Sequence, residues 1–116
     1  MDNFVITTTD TIPNAEIISI VDIVYSNIVI GTNIFSDIAA AFTDFLGGKS
    51  RTYISKLDSM REEAKEELIS KARQLGANAI IGVRTDYEEI SGGSKQMFMV
   101  YMSGTACIVR HNENQP

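Results

Sequence analysis

The chain has 116 residues, 44% of them hydrophobic and 22% charged, with a formal net charge of −5. That length suits one domain with a real core, and that composition argues against a disordered chain. An acidic balance with no basic cluster argues against a nucleic-acid surface, and one cysteine excludes an internal disulfide and fits a reducing compartment.

The N-terminus, Met1-Asp2-Asn3-Phe4, has no charged region ahead of an apolar stretch, so no signal peptide is expected. Phe4-Val5-Ile6-Thr7-Thr8 has strand composition, and Asp10 to Asn14, with Pro13, reads as a turn. From Glu16 to Ile30 the chain is rich in Ile and Val at both parities, as in a strand covered on both faces. Its most apolar part, from Ile17, is broken by Ser19, Asp22, Ser26 and Asn27, and it is shorter than the roughly 20 residues of a spanning helix. A soluble, cytoplasmic protein without a membrane partner is expected. Asp22 is discordant in this strand and reads as an edge position or a hydrogen-bonded carboxylate.

Gly31-Thr32-Asn33 breaks the strand. Ile38, Ala41, Phe42, Phe45 and Leu46 then form an apolar helix face, with Ser36 or Asp37 as N-cap and Gly47-Gly48 as the stop. Gly47-Gly48-Lys49-Ser50 looks like the end of a phosphate loop, but Thr43 stands where the pattern needs glycine. A helix–helix turn explains these residues.

The run from Arg51 to Leu75 contains no Pro or Gly, and Leu57, Met60, Ala64, Leu68, Ala72 and Leu75 fall on one helical stripe. Gly76 can end that helix in the left-handed conformation. At about 1.5 Å per residue the rod is about 37 Å long. Ala79, Ile81, Val83, Thr85 and Tyr87 alternate with Gly82, Arg84, Asp86 and Glu88, which predicts a strand with one apolar and one polar face. Ser91 to Ser94 is a turn, and Met97 to Val109 a returning strand. Arms of about 40 Å match the helix in length.

The element order is therefore β-β-α-α-β-β, an α+β domain over residues 1–110 with a tail at 111–116. Its sheet is expected to be antiparallel, with a long C-terminal hairpin and two helices on one face. The last strand puts Met97, Met99, Tyr101 and Val109 on one side and Phe98, Val100, Met102, Ala106 and Ile108 on the other. Two helices cover one face only, so the second apolar face implies another subunit or a ligand. A homo-oligomer is the favoured partner state.

No catalytic constellation is visible, and His111, the only histidine, makes a His-based triad improbable. Glu62 with Glu66, and Glu63 with Glu67, are carboxylate pairs at helical spacing that could hold a divalent metal through oxygen. A solvated charged face explains them first. Cys107 and His111 are the only soft or imidazole ligands, where a structural zinc site wants four. A buried small-residue role for Cys107 and a loose tail for His111 are the readings preferred.

The chain also resembles the YbjQ-like family of small bacterial proteins. The resemblance is carried by Ile30-Gly31-Thr32-Asn33-Ile34-Phe35, Asp44, Gly47-Gly48, Ser50, Tyr53, Arg61-Glu62, Ala64 and Glu66-Glu67-Leu68. It continues through Ala72, Leu75-Gly76-Ala77-Asn78-Ala79, Gly82, Asp86-Tyr87-Glu88, Met99-Val100 and Ser103-Gly104-Thr105-Ala106. It implies an uncharacterised function, a heavy-metal-binding label, and dodecin-like α+β subunits assembled as a ring, with a pentamer implied. Neither Cys107 nor His111 lies in the matching stretches, so a metal would rely on hard oxygens such as Glu62, Glu66, Asp86 and Glu88. Asn33, Arg61 and Tyr87, within those stretches, are candidate interface or ligand residues. An enzymatic reading would gather Tyr87, Arg61 and carboxylates from two subunits around a shared pocket.

Overall fold

The computed structural model describes residues 4–30, 51–92 and 95–112. The expected helix from Ser36 to Leu46, the Gly47–Ser50 turn and Asn33 lie outside the described residues. Four strands and one helix occur among those described: β1 (Val5–Ile6), β2 (Ala15–Ile30), α1 (Arg51–Gln74), β3 (Ala79–Gly92) and β4 (Lys95–His111). They form an α+β unit with sheet order β1-β3-β4-β2.

The sheet is mixed, which corrects the antiparallel expectation. β3 pairs antiparallel with β4 and β4 with β2, but β1 runs parallel to β3 through Val5↔Ala79 and Ile6↔Ile80. β1 and β2 thus occupy opposite edges, and the segment between them must cross the sheet. Periodicity reports which residues alternate; it carries no information on which edge a short strand joins.

The helix ends as its sequence dictates. Gly76 adopts φ +88°, its N–H donates to the Arg73 carbonyl, and Ala77 N–H reaches back to the Ala72 carbonyl at 3.0 Å. This is the glycine-centred stop that satisfies orphan carbonyls. Asn78 then carries the chain into the sheet. Its side-chain amide donates to the Val109 carbonyl at 2.9 Å, and its Oδ1 accepts the Val109 N–H at 2.8 Å. Helix stop and side-chain clamp give the Leu75–Ala79 segment its physical logic.

One face of the sheet packs on α1. Met60, Ala64, Leu68 and Ala72 of the helix meet Val24, Ile80, Val100, Met102 and Ala106 in a buried core. Leu68, Ile80 and Val100 are fully buried, and each such side chain contributes about 1.5–3 kcal/mol by leaving water.

β3 does not keep one alternation from end to end. Ile81 pairs with Thr105 and Arg84 with Ser103, so three residues of β3 oppose two of β4. Gly82 sits at this bulge with φ +61°, which favours glycine. The extra residue reverses the parity beyond it. Ala79 and Ile81 lie on the face away from α1, whereas Thr85 and Tyr87 lie on the helix side. The single apolar face expected from Ala79 to Tyr87 is thereby split across both sides of the sheet.

At one end the second face is covered by the chain itself. Ala79, Ile81, Cys107 and Val109 form a second buried cluster with Val5, Ile12, Ala15 and Ile17 packed against it. The β1–β2 connection holds this position through Thr9, whose carbonyl accepts the Gly82 N–H at 2.9 Å, and through Asn14, which bonds Asn112. β4 takes in His111, opposite Ala15, so that residue belongs to the sheet and not to a loose tail.

The strands also outrun the helix. The 17 residues of β4, at about 3.3 Å each, reach about 56 Å. The 24 residues of α1 span about 36 Å. Helix and hairpin therefore do not match in length.

Candidate functional site

The paired register turns the face away from α1 into rows. Ile23, Thr105 and Ile81 form one row, followed by Tyr25, Ser103 and Arg84. Next come Asn27, Tyr101 and Asp86, and then Val29, Met99 and Glu88. Along the last two rows an open hollow of about 620 Å³ is lined by Asn27, Asp86, Glu88, Met99 and Tyr101, and Tyr87 also borders it. It combines two carboxylates, an amide, a phenol and a thioether. The β2 side of the same face is apolar and exposed: Ile20 by 60%, Ile23 by 64%, Tyr25 by 53% and Val29 by 47%.

The sequence-predicted residues separate into two places. Arg61 and Tyr87 come together on the helix side, where Arg61 Nη1 donates to Tyr87 Oη at 2.9 Å. Arg61 also pairs with Asp58, one turn earlier on α1. The Tyr87 ring stacks on Phe98, with centroids 6.1 Å apart and planes at 25°. The hydrogen bond and the charge interaction with Tyr87, and then Asp58, hold the Arg61 guanidinium pKa above its ordinary value. Asp58 was missed by sequence reasoning, although its i,i+3 spacing to Arg61 was the available signal.

Asp86 and Glu88 lie on the opposite side of the sheet, while Glu62 and Glu66 are exposed on the helix. Glu62 and Glu66 therefore do not join Asp86 and Glu88 within one chain. Among the described residues, no three His, Cys, Asp or Glu side chains group to hold an ion. Asn27, Met99 and Tyr101 were also missed. Only the strand register brings them beside the carboxylates.

A soft-metal site built on the one cysteine and the one histidine fits this chain poorly. Cys107 is fully buried, and burial pushes its thiol pKa up, away from the thiolate a metal would take. His111 is four residues along the same strand, about 13 Å away at about 3.3 Å per residue. Among the described residues, the buried Glu67 Oε1 and His111 Nε2 have no hydrogen-bond partner. One belongs to α1 and the other to the far end of β4 on the opposite face, so they do not converge. No helix among the described residues is long and apolar enough to cross a membrane.

Residues 4–110 match a family model described as "putative heavy-metal-binding". A UPF0145 protein of Pasteurella multocida is 46% identical over 105 residues, covering 90% of this chain and 98% of that protein. UPF0145 proteins of Bacillus cereus and Geobacillus kaustophilus are 47% and 45% identical over 102 residues. Each alignment covers 88% of this chain, with 96% and 94% of the respective relative. A crystal structure of a protein of unknown function from Pediococcus pentosaceus, assigned to the DUF74 family, matches with TM-score 0.66. At 21% identity over 94% of this chain and 100% of that one, it supports the fold alone. On the family-model match and these identities, the chain belongs to the YbjQ-like UPF0145 family.

Proposed function

We propose that the protein is a cytoplasmic, homo-oligomeric binding or scaffold subunit, with ligands held where subunits meet. The carrying observation is the exposed apolar row Ile20, Ile23, Tyr25 and Val29 on a sheet whose other face packs on α1. A second copy over that row would remove the water-exposed apolar area, at roughly 25 cal/mol per Å². The family resemblance favours a ring, with five subunits as the number to test. Native mass spectrometry of untagged protein, purified without chelator, provides the test. A discrete oligomer supports the reading, and a monomer at micromolar concentration overturns it.

A second reading uses the hollow. Asp86 and Glu88 share one side of β3 beside Asn27 and Tyr101, a hard-oxygen donor set suited to a divalent cation. The helix pair Glu62 and Glu66 would then be a separate, solvated site. Metal uptake by the intact protein, lost in Asp86→Asn with Glu88→Gln and kept in Glu62→Gln with Glu66→Gln, supports the hollow. The reverse pattern moves the site to the helix.

A further inference from the structure

Among the described residues β2 lies at the edge of the sheet, bonded to β4 on one side only. From Ile17 to Tyr25 it reads Ile-Ile-Ser-Ile-Val-Asp-Ile-Val-Tyr, a stretch of high β-propensity with one charge. An exposed edge of that composition is a template for strand addition by any other chain.

Two side chains occupy the edge at its centre. Asp22 Oδ1 accepts the Ile23 N–H at 2.7 Å. Lys71 Nζ, in the last two turns of α1, donates to the Tyr25 carbonyl at 2.7 Å. Residues two apart on a strand send their peptide groups to the same side, so Ile23 and Tyr25 present theirs at one border of β2. One donor and one acceptor that an incoming strand would need are therefore already taken. Two register shifts, between Ile17 and Ser19 and between Ile20 and Asp22, also interrupt the regular spacing just before this point.

We propose that Asp22 and Lys71 form an edge guard that closes the outer border of β2 to strand addition, so that copies of the chain meet by the sheet face. The second clause rests on the assembly reading above; the guard itself does not. Asp22 thereby has a role in a strand otherwise written for burial. Its carboxylate acts at the peptide edge while Ile23 and Tyr25 remain exposed on the face. Lys71 reaches the edge beside a hollow of about 270 Å³ lined by Ile23, Tyr25, Gln74 and Leu75.

The test compares the full-length wild type with the Asp22→Ala/Lys71→Met double variant by sedimentation velocity and thioflavin-T fluorescence, below the melting midpoint of each. The wild type should give one discrete species without dye response. The double variant should give open-ended species with a several-fold rise in fluorescence. Two further variants separate edge growth from unfolding. Asp22→Ala/Lys71→Arg keeps a donor at the Tyr25 carbonyl and should reduce growth. Asn27→Pro, added to the double variant, removes another outward N–H and should suppress growth if the edge is responsible.

An unchanged size distribution in the double variant would overturn the guard, as would growth that Asn27→Pro leaves untouched. A wild-type monomer would remove the assembly reading alone, leaving the guard to be judged by the variants.

Discussion

Ser26 Oγ donates to the Ala64 carbonyl at 2.8 Å, tying the middle of β2 to the middle of α1 across the main core. Ser26 is the one buried polar residue found among the described residues, at 1% exposure. Small size lets the helix backbone approach, and the hydroxyl finds its partner in a carbonyl that is already part of the helix ladder. Ser26→Ala should therefore cost about 1 kcal/mol, the net worth of one buried hydrogen bond. Urea denaturation reads this directly; a midpoint equal to wild type would show that the bond contributes nothing.

Gly104 is the most closely approached of the glycines at 76, 82 and 104. A Cβ there would stand 2.5 Å from Ile80 Cγ2, 3.1 Å from Val83 Cγ2 and 3.3 Å from the Ile81 carbonyl. Ile80 is fully buried and cannot swing away. Gly104→Ala is expected to destabilise by about 1–3 kcal/mol, the usual range for overpacking. Its thermal midpoint should fall accordingly, and an unchanged midpoint would mean that β3 yields at its bulge.

Tyr87 offers two separable interactions. Tyr87→Phe removes the Arg61 hydrogen bond and keeps the ring on Phe98; Tyr87→Ala removes both. Both partners are exposed, so the polar contact is worth about 0.2–1 kcal/mol. Loss of the ring pair should add about 0.5–1.5 kcal/mol. A double-mutant cycle with Arg61→Ala separates the two contributions. Equal stability of the Phe and Ala variants would contradict the stacking.

Cys107 should make stability fall at alkaline pH. Burial raises the thiol pKa in the folded state, so the folded protein holds this proton more tightly than the unfolded chain. The contribution is complete below the ordinary thiol value, about 8.5, and is lost as pH rises from there through the raised folded value. Cys107→Ala should flatten that loss. Alkylation of the native protein should likewise be slow and track global unfolding, which a rapid native labelling rate would disprove.

The exposed row on β2 sets the interface prediction. Ile20→Lys with Ile23→Lys places two charges on the face proposed to meet another copy. Dissociation should become at least tenfold easier, about 1.4 kcal/mol, by sedimentation equilibrium. Retention of the wild-type oligomer would move the interface elsewhere.

Much of the described fold was legible in the residues. Met60, Ala64, Leu68 and Ala72 marked the buried helix stripe, whereas Leu75, expected on it, lies past the helix end and is exposed. Gly76 marked the stop, and the alternations after Ala79 and Met97 the two arms of the hairpin. Asp22 stood out as discordant in an apolar strand, and it is exposed and hydrogen-bonded there. The candidate site was less legible. Arg61 and Tyr87 were named, but the Asp86 hollow needed Asn27 and Tyr101, which stand on two other strands and meet Asp86 only through the sheet register.

Local periodicity, capping and composition alone determined the helix, the hairpin and the apolar character of β2, because these depend on residues a few positions apart. Tertiary structure alone decided the parallel pairing of β1 with β3, the burial of one end of the second face beneath Ile12, and the side on which each β3 residue lies. A strand's period is two, so one extra residue at Gly82 exchanges its faces. That exchange places Tyr87 beside Arg61 and sends Asp86 and Glu88 to the far side of the sheet from Glu62 and Glu66.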